Sequence, residues 1–164
     1  GGGCLRNLGI HAADAFLHFV GGEDVTVVGA AVTHRVHGKA VEEMAAALLR
    51  SASGVIGTIE AGYSYASLSA GDFSWQVSTA NCYLIDRGRT LHAATLDDGV
   101  IQDVDNLSAS SRYDRFCVDT LERLRSGQPP VASIEDCYRA MCLIDKIYEK
   151  AVRTPHAPRQ GGQP

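Results

Sequence analysis

The 164-residue sequence lacks the long apolar runs and the basic charge that membrane proteins and nucleic-acid-binding proteins need. No apolar run approaches the roughly 18 residues of a membrane span. A basic segment followed by an apolar one, as in secretory signals, is also missing from the chain. The formal net charge is −4, whereas binding to nucleic acid or anionic membranes requires clustered Lys and Arg. We therefore expect neither of these partners.

Motifs that hold nucleotides, metals or nucleophiles are also missing. The five cysteines are odd in number and form no C-x-x-C pair, which is typical of reduced, buried thiols in a cytoplasmic protein. There is no Walker motif, no G-x-S-x-G elbow and no pair of carboxylates at catalytic spacing. The glycines at positions 1–3 do not fit the G-x-G-x-x-G fingerprint of dinucleotide sites. We therefore expect no nucleotide cofactor on this chain alone.

Local patterns predict one helix, then a run of strands. The helix begins near Gly9 and ends at Gly21–Gly22, because glycine is preferred just past a helix end. A strand rich in Val and Thr follows at 24–38. Short segments between 72 and 104, with Asp97–Asp98–Gly99 as a hairpin turn, predict further strands. Six or seven strands joined by short turns form an antiparallel meander.

Residues 39–64, KAVEEMAAALLRSASGVIGTIEAGYS, are where local rules conflict. The alanines and leucines of VEEMAAALLR have high helix propensity. The segment SASG, however, is a four-residue turn, and VIGTIEAGYS favours a strand. A hairpin explains the whole segment, whereas a helix explains only its first half. We predict the hairpin, because tertiary context overrides propensity.

The last third of the sequence is predicted to hold two helices. Ser111 with Asp114, and Ser133 with Asp136, resemble capping boxes at the helix starts. Prolines in GQPP, residues 127–130, separate the two helices. The predicted apolar faces are Tyr113, Phe116, Cys117, Leu121 and Leu124 on the first, and Ile134, Cys137, Tyr138, Met141, Ile144 and Tyr148 on the second.

The predicted fold class is α+β, a mostly antiparallel open-faced sheet with helices packed on one face. Residues 1–153 are expected to form this domain, and residues 154–164 a disordered tail without apolar residues to pack. The second face of such a sheet meets solvent or a partner. Self-association through it, as a homodimer or higher homo-oligomer, is the simplest expectation.

The polar residues of the first helix allow three interpretations. His11, Asp14 and His18 are spaced so that they can share one helix face. They could form a metal site, although no further ligand cluster is obvious and we expect no metal. Asp14 could simply satisfy His11. Alternatively, His11 could act as a general acid and base, since imidazole suits proton exchange with an alcohol. These residues alone do not choose between the last two.

Three segments carry a family resemblance. Gly1 to Asp14 fits G-G-G-x-L-x-[D/N]-x-G-x-H-x-x-D, and resembles the start of the C-terminal domain in the glucose–fructose oxidoreductase/inositol dehydrogenase family (Gfo/Idh/MocA). Residues 41–64 resemble that family's hairpin with its turn glycine. Residues 112–151 resemble its closing pair of helices, joined by a G-x-P-P loop. The three segments follow in family order.

The resemblance implies a substrate-binding and oligomerisation domain that follows an N-terminal Rossmann domain binding NAD or NADP. It implies that the open sheet face packs against the same face of another subunit. In many dehydrogenases of the family, the position of His11 holds the proton-transfer histidine. The position of Asn7 commonly holds an aspartate, which binds substrate hydroxyls and assists that histidine. A lysine of an E-K-P motif in the Rossmann domain completes the group.

Two features depart from the family pattern. Asn7 can hydrogen-bond a hydroxyl but carries no charge to raise the basicity of His11. The Rossmann fingerprint and the E-K-P lysine are not in this chain. Asp14 is expected to be structural, in the first helical turn, where the helix dipole favours negative charge.

The resemblance thus implies the C-terminal domain of an NAD(P)-dependent oxidoreductase for a sugar, polyol or related hydroxy compound. His11 would be catalytic, Asn7 and His11 would bind substrate, and hydride transfer would need the full-length protein. The alternative is a non-catalytic dimerising or binding module that keeps the fold and has lost the dehydrogenase chemistry. On either interpretation the chain alone is expected to be inert.

Overall fold

The computed structural model describes residues 2–34, 39–63, 73–86, 90–96, 102–105 and 109–153. The chain forms two compact units. The first comprises Gly1–Tyr65 and Ala132–Pro164, and the second comprises Ala66–Val131. The predicted turn at Asp97–Asp98–Gly99 and the predicted tail 154–164 lie outside the described residues. No helix within the described ranges is long and apolar enough to cross a membrane.

The elements confirm the predicted α+β class and the order of helix, strands and two helices. In chain order they are a π-helical turn (Leu5–Gly9), α1 (Ile10–Phe19), β1 (Val25–Thr33), β2 (Met44–Ser51), β3 (Ile56–Gly62), β4 (Trp75–Ser78), β5 (Cys82–Asp86), β6 (Thr90–Thr95), β7 (Gln102–Asp105), α2 (Ala109–Arg125), α3 (Ile134–Lys150) and β8 (Ala151–Arg153). We call Leu5–Gly9 the π-turn.

The sheet of the first unit has the strand order β3–β2–β1–β8. β1, β2 and β3 are antiparallel neighbours, whereas β8 runs parallel to β1. α1 packs on α3 and on β3, and α3 packs on β1, so that one face of this sheet is covered. The buried side chains there are Ala13, Leu17, Val25, Val27, Val32, Ala45, Ala47, Leu49, Ile59, Ala61, Ala140, Leu143, Ile144 and Ile147.

The segment with conflicting local rules is a hairpin, as predicted. β2 pairs with β3 from Met44↔Gly62 to Arg50↔Ile56. Burial alternates along β2, with Ala45, Ala47 and Leu49 inside. A helix would spread these side chains around its circumference, whereas a strand places all of them under the two helices. Burial against the helices therefore decides against helix propensity.

The first helix starts earlier than predicted and ends as predicted. The π-turn precedes α1 directly, so that the helical backbone begins several residues before Gly9. At the other end, Gly21 N–H donates to His18 O at 3.0 Å and Gly22 N–H to Leu17 O at 2.9 Å. Both glycines have positive φ, which makes this end a Schellman motif.

The second unit contains an antiparallel sheet in the order β4–β5–β6–β7. The predicted meander is thus confirmed in its strands but divided between two sheets. Hairpin signals specify which consecutive strands pair. They do not specify whether consecutive hairpins join one hydrogen-bonded ladder.

Several predictions about the last helices and the thiols are corrected. α2 begins at Ala109, so Ser111 lies inside the helix and is not its cap. The second capping box is confirmed, since Ser133 Oγ accepts from Asp136 N–H at 3.1 Å and Asp136 Oδ2 accepts from Ser133 N–H at 2.9 Å. Ile134 and Tyr138 are not in the core but 77% and 70% exposed. The expectation of buried thiols is also wrong for Cys117 and Cys137, which are exposed.

Candidate functional site

Asn7 and His11 lie on the helical run that begins with the π-turn. Asn7 is within that turn and His11 is the second residue of α1, about one turn further along. Both side chains are exposed. Within the described residues neither side chain makes a hydrogen bond or an ion pair. Isolated π-turns are rare and occur frequently at functional sites, so this pair is the candidate site.

Asp14 and His18 do not join that pair. Asp14 is exposed and makes no contact with His11 among the described hydrogen bonds and ion pairs, so the interpretation that Asp14 satisfies His11 is not observed. The first turn of α1 holds no acidic residue, and the proposed dipole role of Asp14 is therefore wrong. The His18 ring instead meets Phe19 edge-on, with centroids 6.1 Å apart. The described residues contain no cluster of three or more metal-ligating side chains.

The base of the π-turn is held by Glu42, from the segment just before β2. Glu42 is only 5% exposed. Its Oε1 accepts a hydrogen bond from Leu5 N–H at 3.1 Å and another from the Tyr148 hydroxyl at 2.6 Å. Its backbone carbonyl accepts from Cys4 N–H at 3.2 Å. Glu42 therefore joins the π-turn, β2 and α3.

Two ionisable groups next to Glu42, the Tyr148 hydroxyl and the Cys4 thiol, have raised pKa values. Burial, followed by the hydrogen bond to Glu42 and its charge, raises the pKa of Tyr148 to about 12. Burial and the charge of Glu42 raise the pKa of the Cys4 thiol from 9.0 to about 11. The thiol donates to Ala61 O at 3.3 Å. Because the thiolate is the reactive form, Cys4 is an inert packing residue at neutral pH.

Arg6 makes a second connection between the π-turn and α3. Its guanidinium forms an ion pair with Asp145 and lies over the Tyr148 ring, 5.6 Å from the centroid. Cation–π and ion-pair contacts of this kind are individually weak at a partly exposed site. Together with Glu42 they connect the first residues of the turn to the body of the unit.

Two glycines permit this close packing. A Cβ on Gly3 would lie 2.2 Å from Cδ and Oε2 of Glu42 and 2.4 Å from its carbonyl oxygen. A Cβ on Gly9 would lie 2.7 Å from Leu5 Cδ1 and 3.4 Å from Ala61 Cβ. The glycine-rich start of the sequence is thus explained at Gly3 by the approach of Glu42.

The uncovered face of the first sheet is a second candidate surface. Its exposed side chains include Val28, Ala31, Ala46, Leu48, Thr58 and Glu60. They form cross-strand rows, such as Ala31–Ala46–Glu60, because their registers coincide. The face is mixed in character: Val28, Leu48 and Ile56 are apolar, whereas Arg50, Thr58 and Glu60 are polar or charged.

Sequence reasoning identified Asn7 and His11 but missed Glu42, Tyr148 and the Arg6–Asp145 pair. Glu42 and Tyr148 are 106 residues apart, and no spacing rule connects them. One local signal was available. Two acidic residues stand directly before an alternating strand, and Glu43 continues the buried parity of β2 at 0% exposure.

The fold is found in oxidoreductases of known structure. The chain is 20% identical to the 3-ketoreductase KijD10 from Actinomadura kijaniata, solved with TDP-benzene and NADP, with a TM-score of 0.69 over 94% of this chain and 50% of that chain. It is 16% identical to levoglucosan dehydrogenase, solved with NADH, with a TM-score of 0.78 over 92% of this chain and 48% of that chain. The chain therefore spans about half the length of these structures.

The chain thus has an α+β fold that these two oxidoreductases also contain. Residues 1–80 match the family model of the GFO/IDH/MocA C-terminal domain. No curated protein matches the chain. This match confirms the resemblance predicted from the sequence.

A nicotinamide dinucleotide does not fit the described residues of this chain. Dinucleotide sites use a strand, a glycine-rich loop and a helix N-terminus within a βαβ unit of parallel strands. Among the described strands the only parallel pair is β1 and β8, which stand at opposite ends of the first unit's sequence.

Proposed function

We propose that this chain is the substrate-binding and oligomerisation domain of an NAD(P)-dependent oxidoreductase acting on a sugar, polyol or related hydroxy compound. One observation carries the proposal: two exposed polar side chains, Asn7 and His11, stand on a helical turn fixed at its base. The family match over residues 1–80 supports it. So do the similar structures, which are a 3-ketoreductase solved with NADP and levoglucosan dehydrogenase solved with NADH.

In this proposal His11 exchanges the proton of the reacting hydroxyl. It accepts that proton when an alcohol is oxidised and returns it when a carbonyl is reduced. A positioned acid–base group of this kind contributes about 10²–10⁴-fold to rate. Asn7 orients the substrate, since its amide both donates to and accepts from hydroxyl groups.

NAD or NADP is held, in this proposal, by a nucleotide-binding domain joined ahead of Gly1, with residues 1–153 as the substrate-binding part. The support is the length of the similar structures, of which the chain covers about half. The described residues also offer no dinucleotide site of their own. The chain alone is therefore expected to bind substrate weakly and turn nothing over.

We further propose that the uncovered face of the first sheet, with Leu48 near its centre, joins two copies of the chain. Leu48 is 38% exposed and pairs with Thr58 on β3. An antiparallel sheet with one apolar, uncovered face is stabilised by a partner. A second copy presents the same face, so that a two-fold axis through the face makes the contact self-complementary.

The test of the proposed reaction is turnover by the polypeptide that joins this chain to its nucleotide-binding domain. Sugars, polyols and inositols are supplied with NAD and with NADP, and the absorbance of the reduced nicotinamide is followed. We expect turnover of at least one cyclic hydroxy compound. No turnover in either direction, with cofactor and substrate both shown to bind, would contradict it.

One observation favours a second candidate, a non-catalytic dimerising module. Asn7 stands where an aspartate is commoner in the family, and no described side chain supplies a charge to His11 in its place. The variant Asn7→Asp separates the two candidates. An active enzyme is expected to keep or raise kcat with Asp at this position, because the carboxylate increases the basicity of a neighbouring imidazole. A protein without the chemistry shows no turnover with either residue.

A further inference from the structure

The π-turn has no capping side chain of its own. The first N–H groups of any helix lack intrahelical partners and need other acceptors. Neither Cys4, before the π-turn, nor Gly9, before α1, makes a side-chain cap hydrogen bond. The cap is supplied from elsewhere in the sequence.

We infer that Glu42, with the Tyr148 hydroxyl bound to it, is a positioning residue that caps the π-turn and so sets the placement of Asn7 and His11. This inference rests on the proposed function, because it assigns Glu42 a role in a site whose chemistry is itself proposed. Glu42 touches neither side chain of that site in any described contact. It acts through the backbone of the turn.

The geometry of the carboxylate supports this role. Glu42 accepts at two points of the turn's first residues, with its side chain at Leu5 N–H and its carbonyl at Cys4 N–H. A negative charge at a helix N-terminus is also favoured by the helix dipole. Tyr148 fixes the same oxygen from α3 at 2.6 Å. The carboxylate thus has one position in which all its partners are satisfied.

The form of the turn explains why this matters for Asn7 and His11. A π-turn bonds residues five apart, whereas an α-turn bonds residues four apart. Asn7 lies within the π-turn and His11 after it. A change of the turn to α-helical geometry would therefore rotate Asn7 relative to His11. Misplacement of a positioning group by about 1 Å can cost 10²-fold in rate.

Close packing around Glu42 supports a specific role for its side chain at this position. Gly3 has no room for a Cβ because Glu42 occupies that space. Burial of a carboxylate is costly unless it is hydrogen-bonded, and here it accepts from two donors of different elements. An apolar residue before β2 would fill this space at lower cost. The hydrogen bonds from Leu5 N–H and the Tyr148 hydroxyl explain why a carboxylate is present there.

The experiment compares Glu42→Ala, Glu42→Gln and Tyr148→Phe, with Glu149→Ala as control. Glu149 is an exposed acid next to Tyr148 on α3. NMR of the chain follows the Leu5 amide, the Asn7 side-chain amide and the His11 ring. Steady-state kinetics use the polypeptide that carries the nucleotide-binding domain.

We expect Glu42→Ala to shift all three signals and to lower kcat roughly 10- to 100-fold in folded protein. Glu42→Gln is expected to restore kcat to within about threefold, because an amide oxygen can accept the same two hydrogen bonds. Tyr148→Phe keeps the capping carboxylate and is expected to shift the Leu5 signal less than Glu42→Ala does. If Glu42 acted only through its negative charge, the uncharged Glu42→Gln variant would lose kcat as Glu42→Ala does.

Two outcomes overturn the inference. One is a folded Glu42→Ala protein with wild-type Leu5 and His11 signals. The other, decisive if Glu42→Ala does not fold, is Tyr148→Phe with a Leu5 amide signal identical to that of Glu149→Ala. Failure of the proposed function looks different: the polypeptide with the proposed nucleotide-binding domain then shows no turnover, while Glu42→Ala still shifts the NMR signals of the chain.

Discussion

Replacement of Gly3 by alanine tests the packing at the base of the candidate site. The new Cβ would lie 2.2 Å from Cδ and Oε2 of Glu42 and 2.4 Å from its carbonyl oxygen. These separations are more than about 1 Å shorter than ordinary van der Waals contact. The carbonyl cannot retreat without loss of the 3.2 Å hydrogen bond from Cys4 N–H, and the carboxylate cannot retreat without loss of its bonds to Leu5 and Tyr148.

The magnitude follows from these contacts. Overpacking of a well-filled site costs about 1–3 kcal/mol, and each hydrogen bond to a charged group that is weakened adds about 1.5 kcal/mol. With one such hydrogen bond weakened, we expect Gly3→Ala to lower the free energy of unfolding by roughly 2.5–4.5 kcal/mol. Urea unfolding followed by far-ultraviolet circular dichroism measures this, with the slope m as a check on two-state behaviour.

Gly29→Ala is the matched control. A Cβ at Gly29 meets nothing within 4 Å, and Gly29 does not have a positive φ. We expect the free energy of unfolding to change by less than about 0.5 kcal/mol. Equal stabilities for Gly3→Ala and Gly29→Ala, with unchanged Leu5 and Cys4 amide signals, would refute the claim that Glu42 and Gly3 are in close contact.

Three further predictions concern the thiol, the core and the open face. Because the folded-state pKa of Cys4 is raised from 9.0 to about 11, stability present below pH 9 is lost as the pH rises to 11. Cys4→Ala should therefore show about 2–3 kcal/mol less alkaline loss in urea titrations, and equal losses in both proteins would contradict the raised pKa. Leu49→Ala, at a side chain with no exposure, should cost about 2–5 kcal/mol, measured by thermal unfolding, and a cost below 1 kcal/mol would show that Leu49 is not in the core. Leu48→Arg, one residue along on the opposite face, should convert the proposed dimer to monomer in sedimentation velocity, whereas Ile134→Arg, at an exposed position of α3, should not. A dimer that persists in Leu48→Arg would contradict the proposed interface.

Sequence patterns predicted which segments form helices and strands better than they predicted which side of each helix is buried. The hairpin at residues 44–62 could be recognised because SASG is a turn and the following segment, VIGTIEAGYS, favours a strand. The buried face of α3 was predicted only in part, since apolar residues occur around much of this helix: Ile144 is buried as predicted. Contacts with α1 and β1 select Leu143, Ile144 and Ile147 for burial and leave Ile134 and Tyr138 exposed. Local sequence patterns also could not predict that the strands form two separate sheets.

At the candidate site, too, local spacing was predictable from the sequence and long-range contacts were not. Asn7 and His11 lie within one helical run, and their spacing in the sequence is enough to bring them together. Glu42 reaches Leu5 from 37 residues away and Tyr148 from 106 residues away. Such contacts arise only when β2 and α3 have packed around the π-turn. The placement of Asn7 and His11 on one helical run was therefore predictable, and the distant contacts that hold this run were not.

The central claim is that His11 exchanges a substrate proton, and kcat of His11→Ala tests it most directly. The measurement uses the polypeptide with its nucleotide-binding domain, saturating nicotinamide cofactor and His18→Ala as the control, an exposed histidine on the same helix. We expect kcat to fall about 10²–10⁴-fold in His11→Ala, to stay near wild type in His18→Ala, and the dissociation constant of the cofactor to remain unchanged in both. Equal kcat values for the two variants would contradict the account.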